Sequence, residues 1–173
     1  PDALHHNLYF DADFNVHAKD IYDHPKWPDK PLFYLSCTSK SDDTAPEGME
    51  NVFILIPSAP GLASTEAIEN HYFNLVSERI LKHTGMDIRN HVKFKKTFAY
   101  QDFVNEYHSF KGNAYGLANT LKQTAFLKPK MKSKRLKNLF FTGQLTVPGP
   151  GVPPSLISGQ LAAELVSKEF PLS

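Results

Sequence analysis

One cysteine stands among the 173 residues, so Cys37 can close no disulfide within the chain. A lone thiol fits a reducing compartment, and a cytoplasmic location is expected. No apolar run approaches the roughly 20 residues of a membrane-spanning helix. Neither sign of charge prevails: 19 Lys and Arg face 18 Asp and Glu, for a net +1. That balance removes the global electrostatic case for a nucleic-acid partner. The dinucleotide fingerprint G-x-G-x-x-G is missing. So are a recognisable nucleophile triad, a carboxylate pair and a cluster of metal ligands. No catalytic acid or base is therefore assigned, and His91, Asp102 and His108 read as surface or core residues. Signal peptide and initiator methionine are absent too, which leads us to expect a fragment or a processed product.

What is present concentrates in residues 138–170. Leu139, Phe140 and Phe141 form a short apolar run that reads as a buried strand. Three glycines and four prolines then fall within residues 143–154. Beyond them Leu156, Ile157, Leu161, Leu165 and Val166 keep helical spacing, with Ser155 placed as the cap. Strand, glycine-rich turn and helix together aim backbone N–H groups and a positive dipole end into the turn. Gly149 and Gly151 admit backbone angles closed to other residues, while Pro148, Pro150, Pro153 and Pro154 stiffen the loop. On shape alone two readings stand level: a structural turn, or a bed for a phosphate or flat ring.

The run Gly143-Gln144-Leu145-Thr146-Val147-Pro148-Gly149-Pro150-Gly151-Val152-Pro153, with Ser158-Gly159 in the following helix, resembles a flavin-contacting signature. That signature lies near the C-terminus of bacterial-type phytoene desaturases, within the wider group of FAD-binding carotenoid and retinoid desaturases and saturases. The common form reads H-P-G-A-G-V-P-G. Val147 replaces its histidine, Pro150 its small residue and Pro154 its last glycine. The resemblance implies that Gly143, Gln144, Pro148, Gly149, Gly151, Val152, Pro153 and Ser155 contact FAD.

The rest of the chain carries further blocks. Leu8, Tyr9 and Phe10 read as strand formers behind His5-His6-Asn7. His5 and His6 lack further ligands at useful spacing, so no metal site is assigned. Val16, Ile21 and Tyr22 hint at a short helix ended by Pro25 and Pro28. Residues 32–38 and 51–57 read as strands, the second a central one. From Ser64 or Thr65 a helix runs to Gly85, with Ile68, Tyr72, Leu75, Val76 and Ile80 on one face. Val92 and Phe94 read as a further strand. Tyr100, Phe103, Tyr107, Phe110 and Tyr115 give a density of aromatics that fits either a packed core or the wall of a long apolar channel. The blocks T-F-A-Y-Q-D-F, G-N-A-Y-G-L and Q-T-A-F-x-K-P are similar to ones of the same family, in the same order. Through that likeness Tyr100, Phe103, Phe110 and Tyr115 become candidate substrate-lining residues. Residues 128–137 hold six cations and no acid. Such a run is either a solvated loop or a contact with anionic lipid.

The expected architecture is α+β. An antiparallel sheet from the runs at Leu8, Phe33, Phe53 and Phe94 carries helices on one face. A closing strand and helix of an FAD-binding Rossmann-like domain complete it. By the resemblance, residues 1–130 are a substrate-domain portion and residues 138–173 return to the cofactor domain. The G-x-G-x-x-G half of the same polypeptide is then the missing partner. The resemblance implies an FAD-dependent desaturase acting on an apolar polyene such as phytoene, cytoplasmic or held peripherally at a membrane. Without its partner half the chain alone is expected to be inactive. Two rivals stand beside this reading: another FAD oxidoreductase on the same scaffold, such as a saturase or amine-oxidase relative, and a binding module with no enzymatic activity.

Overall fold

Three strands pair antiparallel in the order β1 (His6–Tyr9), β2 (Phe33–Cys37), β3 (Val52–Leu55). The register sets Tyr9 opposite Phe33 and Cys37 opposite Val52. Side chains alternate across a strand, so Phe33, Leu35 and Cys37 share one face of the central strand, and all three are buried. Val76 and Ile80 of helix α2 (Glu66–Thr84) complete that core with Tyr9. The ends of α2 follow from local chemistry. Thr65 accepts a hydrogen bond from the Ile68 N–H at 3.3 Å, and Gly85 stops the helix in the left-handed region at φ 73°. These features agree with the expected α+β class. The computed structural model describes residues 3–118, 120–124 and 127–171. Ala125 and Phe126 of the Q-T-A-F block lie outside them.

Helix α1 (Phe14–Tyr22) forms where expected, capped by the Asp13 carboxylate, but its buried face is not the apolar one. Val16 and Tyr22 are exposed, whereas His17 and Asp20 are buried. His17 Nδ1 accepts from the Leu32 N–H at 3.0 Å, which leaves Nε2 to donate to the Pro57 carbonyl at 2.9 Å. The ring is a polar cross-brace between α1 and two loops.

Three expectations need correction. Phe94 is in no strand: residues 92–99 are irregular, the sheet holds only β1, β2 and β3 among the described residues, and Phe94 is 82% exposed. Residues 139–141 make a single bridge, Lys132 with Phe140, rather than a buried strand. Leu139 and Phe141 remain half-exposed. The final helix α4 (Val152–Glu169) begins three residues before Ser155, with Gly151 at its cap. Prolines that look like loop residues sit in its first turn, where a missing N–H costs no helical hydrogen bond. Ser155 instead donates its N–H to the Gly151 carbonyl at 3.0 Å.

Helix α3 (Tyr100–Tyr107) lies before the boundary between two compact units, Pro1–Asn113 and Ala114–Ser173. That boundary follows contacts within the chain. The division at residues 130–138 expected above is one of roles in a longer polypeptide. No helix among the described residues is long and apolar enough to cross a membrane.

Candidate functional site

The glycine–proline bend and the start of α4 form the candidate site, and a buried serine fixes their relation. Ser158, fully buried in the second turn of α4, takes the Gly143 N–H at 2.9 Å and the Thr142 hydroxyl at 3.2 Å. It also shares a 2.8 Å hydrogen bond with Thr146, whose hydroxyl lies 3.0 Å from the Gly143 carbonyl as donor. Thr146 is buried as well. Three chain segments thus meet at one hydroxyl, and the bend is tied to the helix it precedes. Buried polar groups without partners are costly, so a satisfied knot of this kind locks the local geometry.

The bend needs glycine. Gly143 and Gly151 have φ of 96° and 113°, in the region that side-chain-bearing residues avoid. A Cβ on Gly151 would lie 3.4 Å from Pro154 Cδ. Gly149, buried at φ 147°, backs onto Lys128, whose Cε would lie 3.4 Å from an added Cβ. The Val147–Pro148 peptide is cis.

Gln144, Gly151, Val152 and Ser155 line one open concavity of about 490 Å³, together with Ala114, Tyr115 and Leu156. Four of the eight expected cofactor contacts are therefore brought together. Gly143, Pro148, Gly149 and Pro153 do not line it; they shape the backbone around it. Tyr115 joins the same concavity, 61% exposed. Tyr100, Phe103 and Phe110 belong to the other unit. There Tyr100 packs so closely on Gly112 that an added Cβ would meet its ring at 2.6 Å. Phe103 stands edge-on to Phe98 at 4.8 Å and Phe110 is exposed.

The donor set at the helix start is small. Pro153 and Pro154 have no N–H, and Ser155 spends its own on Gly151. The Val152 N–H, first in the helix, is left by helical geometry without an intrahelical acceptor. A phosphate needs several converging donors. The Val152 N–H beside apolar Ala114, Tyr115 and Leu156, with Gln144 and Ser155 at hand, suits instead a flat ring bearing an acceptor edge. The helix dipole there favours negative charge on that edge.

His5 and His6 turn to local partners. His5 Nδ1 contacts Ser41 Oγ, and His6 Nδ1 shares a 2.6 Å hydrogen bond with Tyr34 OH. The residue that reasoning from sequence passed over is Ser158. Its only mark was its place in the resembling motif, since a buried hydroxyl knot has no periodicity of its own.

No family model matches the chain. Among characterised relatives, the carotenoid 3,4-desaturase of Haloarcula japonica is 44% identical over 167 residues, covering 96% of this chain and 34% of that protein. The 4,4'-diaponeurosporene oxygenase of Staphylococcus aureus strain MW2 is 30% identical over 172 residues. A 4,4'-diapophytoene desaturase (4,4'-diapolycopene-forming) of a Methylomonas species is 29% identical over 174. The last two are covered over 34% of their length, and this chain over 96% and 97%. The chain thus spans about a third of the length of the relatives it matches.

Proposed function

Since the chain belongs to the carotenoid desaturases, of whose length it spans about a third, we propose that the complete polypeptide is an FAD-dependent oxidoreductase. It takes hydrogen from a long apolar polyene such as a carotenoid precursor, and this chain supplies the floor of the flavin-ring site. FAD, when bound, would accept a hydride from one carbon while the neighbouring carbon loses a proton to solvent, so the hard step is the cofactor's and the protein contributes placement. The observation that supports the reading is the concavity at the start of α4, with the Val152 N–H at the helix start and an apolar lining. Val152 N–H would hold the acceptor edge of the ring, and the α4 dipole would favour negative charge there. Gly143 and Gly151 let the main chain bend out of the way, and Ser158 keeps the bend in place. Tyr115 and Leu156 offer apolar surface that excludes water.

The test is flavin retention by the complete protein. Gly151→Val forces a branched side chain onto φ 113°, and should reduce bound flavin at least tenfold against wild type, as read from the visible absorbance of the purified protein. A variant with undiminished flavin would refute the assignment of this bend to the cofactor.

A second reading follows from the S. aureus relative, whose name is that of an oxygenase. The same scaffold would then end with oxygen in the product. Incubating the complete protein with a C30 or C40 polyene and weighing the product by mass spectrometry separates the two, because desaturation removes hydrogen mass and oxygenation adds oxygen.

A further inference from the structure

The basic stretch at residues 128–137 is not a loose loop. It folds back on residues 139–141 as a pinned hairpin. Phe141 donates its N–H to the Met131 carbonyl at 2.6 Å, and Ser133 to the Leu139 carbonyl at 2.9 Å. At the tip, Ser133 Oγ accepts from the N–H groups of Arg135 and Leu136 at 3.2 and 3.1 Å. Met131 is buried at the base.

This hairpin gathers its charges around one hollow. Lys128, Lys130, Lys132, Lys134 and Arg135 line a concavity of about 500 Å³, with Phe141 on its wall. Of these, Lys132 is neutralised by Glu169 at 2.6 Å. Among the described residues no carboxylate pairs with Lys130, Lys134 or Arg135, and all three are exposed. Like charges held this close repel, so the arrangement is at its most stable with a multiply charged anion among them. Lysine ammonium groups and an arginine fork are the usual phosphate binders.

The geometry points to a phosphate-binding site in this hollow, separate from the bend at α4. The shared chemistry is a phosphate group, and its sources are a lipid headgroup or free phosphate. Phe141, 46% exposed beside the cations, favours the headgroup, because it offers apolar surface next to the charge.

The experiment uses the purified protein and two probes. One is vesicles of phosphatidylcholine alone or mixed in equal parts with phosphatidylglycerol, read by co-sedimentation. The other is inorganic phosphate, read by calorimetric titration. The comparison protein carries Lys130→Gln, Lys134→Gln and Arg135→Gln together, on exposed positions whose loss should not lower the thermal midpoint. A second protein with Lys130→Arg and Lys134→Arg keeps the charge. Wild type should sediment with the mixed vesicles and not with phosphatidylcholine alone, the more weakly as salt rises. Removing three cations should lower that partition roughly a hundredfold, while the charge-keeping protein holds it. Saturable phosphate binding without vesicle binding, lost in the triple variant, would assign the site to free phosphate and still support it. Binding that survives the triple variant, or no binding to either probe, overturns the proposal. Neither outcome touches flavin content, so the desaturase reading is tested apart.

Discussion

Ser158 carries more of the local structure than any other single side chain near the bend. Its hydroxyl serves Gly143, Thr142 and Thr146 at once, with none of its surface exposed. Ser158→Ala takes the acceptor from the part-buried Gly143 N–H and leaves the buried Thr146 hydroxyl with one partner fewer. Such groups cost about 1–3 kcal/mol each, so unfolding by urea should come at a clearly lower midpoint. An unchanged midpoint would mean the bend is held by something else. A second prediction belongs to Asp11. A hydrogen bond from Arg79 holds its carboxyl well below the usual carboxylate range; burial works against this, and a hydrogen bond from His83 adds to it. The folded form therefore resists protonation more than the unfolded chain does. The stabilisation is complete above the ordinary carboxylate value of about 4 and fades as pH falls from there toward the depressed folded value. Asp11→Asn should melt at a lower temperature than wild type at neutral pH, by about 1 kcal/mol once solvent screening of this partly exposed pair is allowed for. The gap should narrow as the pH drops below about 4. Parallel melting curves across that range would contradict it.

At the scale of elements, what could be read from the residues was what local chemistry decides. Helix α2 announces itself because Thr65, the acidic first turn and Gly85 act within a few residues of the element they bound. The Gly85 position gives a clean check. No atom lies within 4 Å of where a Cβ would be built, yet φ is 73°. Gly85→Ala should therefore cost roughly 1–2 kcal/mol from backbone conformation alone, seen as a lower thermal midpoint with no change in the core. A neutral result would mean that the cap shifts to another residue. What was hidden depends on partners distant in sequence. Val92 and Phe94 alternate like a strand, but alternation does not supply an edge to pair with. The Leu139–Phe140–Phe141 run looks buried because it is apolar; its cover is not set by its own residues. Helix α1 turns a polar face inward, since His17 and Asp20 find backbone and lysine partners that no hydrophobic pattern encodes. Prolines 153 and 154 read as loop because proline breaks helices everywhere except the first turn, where they sit. In the site itself, the motif located the bend and four of the seven residues lining the concavity. The buried hydroxyl knot beneath was out of reach, because it depends on which serine the fold turns inward.

Across the whole molecule the deficit is burial. The accessible surface is 12433 Å². Two separately folded units of these lengths would together expose only roughly 10,000 Å². The excess includes apolar side chains on α4: Leu156 is 72% exposed, and Ile157, Leu165 and Val166 between 39% and 48%. Only Ser158 of that helix is buried. Apolar side chains exposed on several sides of one helix mark it as one that further chain normally covers. On the function proposed above, in which this chain is part of a longer polypeptide, the rest of that polypeptide would supply the cover. The 173-residue chain on its own should then bind an apolar reporter dye strongly and self-associate in sedimentation runs. The complete polypeptide should do neither to the same degree. Replacing Leu156 and Val166 by Gln should suppress dye binding and association in the isolated chain, while in the complete protein the same pair should lower stability. That opposition of signs is the decisive reading. Should the pair be harmless in both contexts, the α4 face is simply tolerant exterior. The proposed flavin site would then rest on a helix with no place in a larger domain.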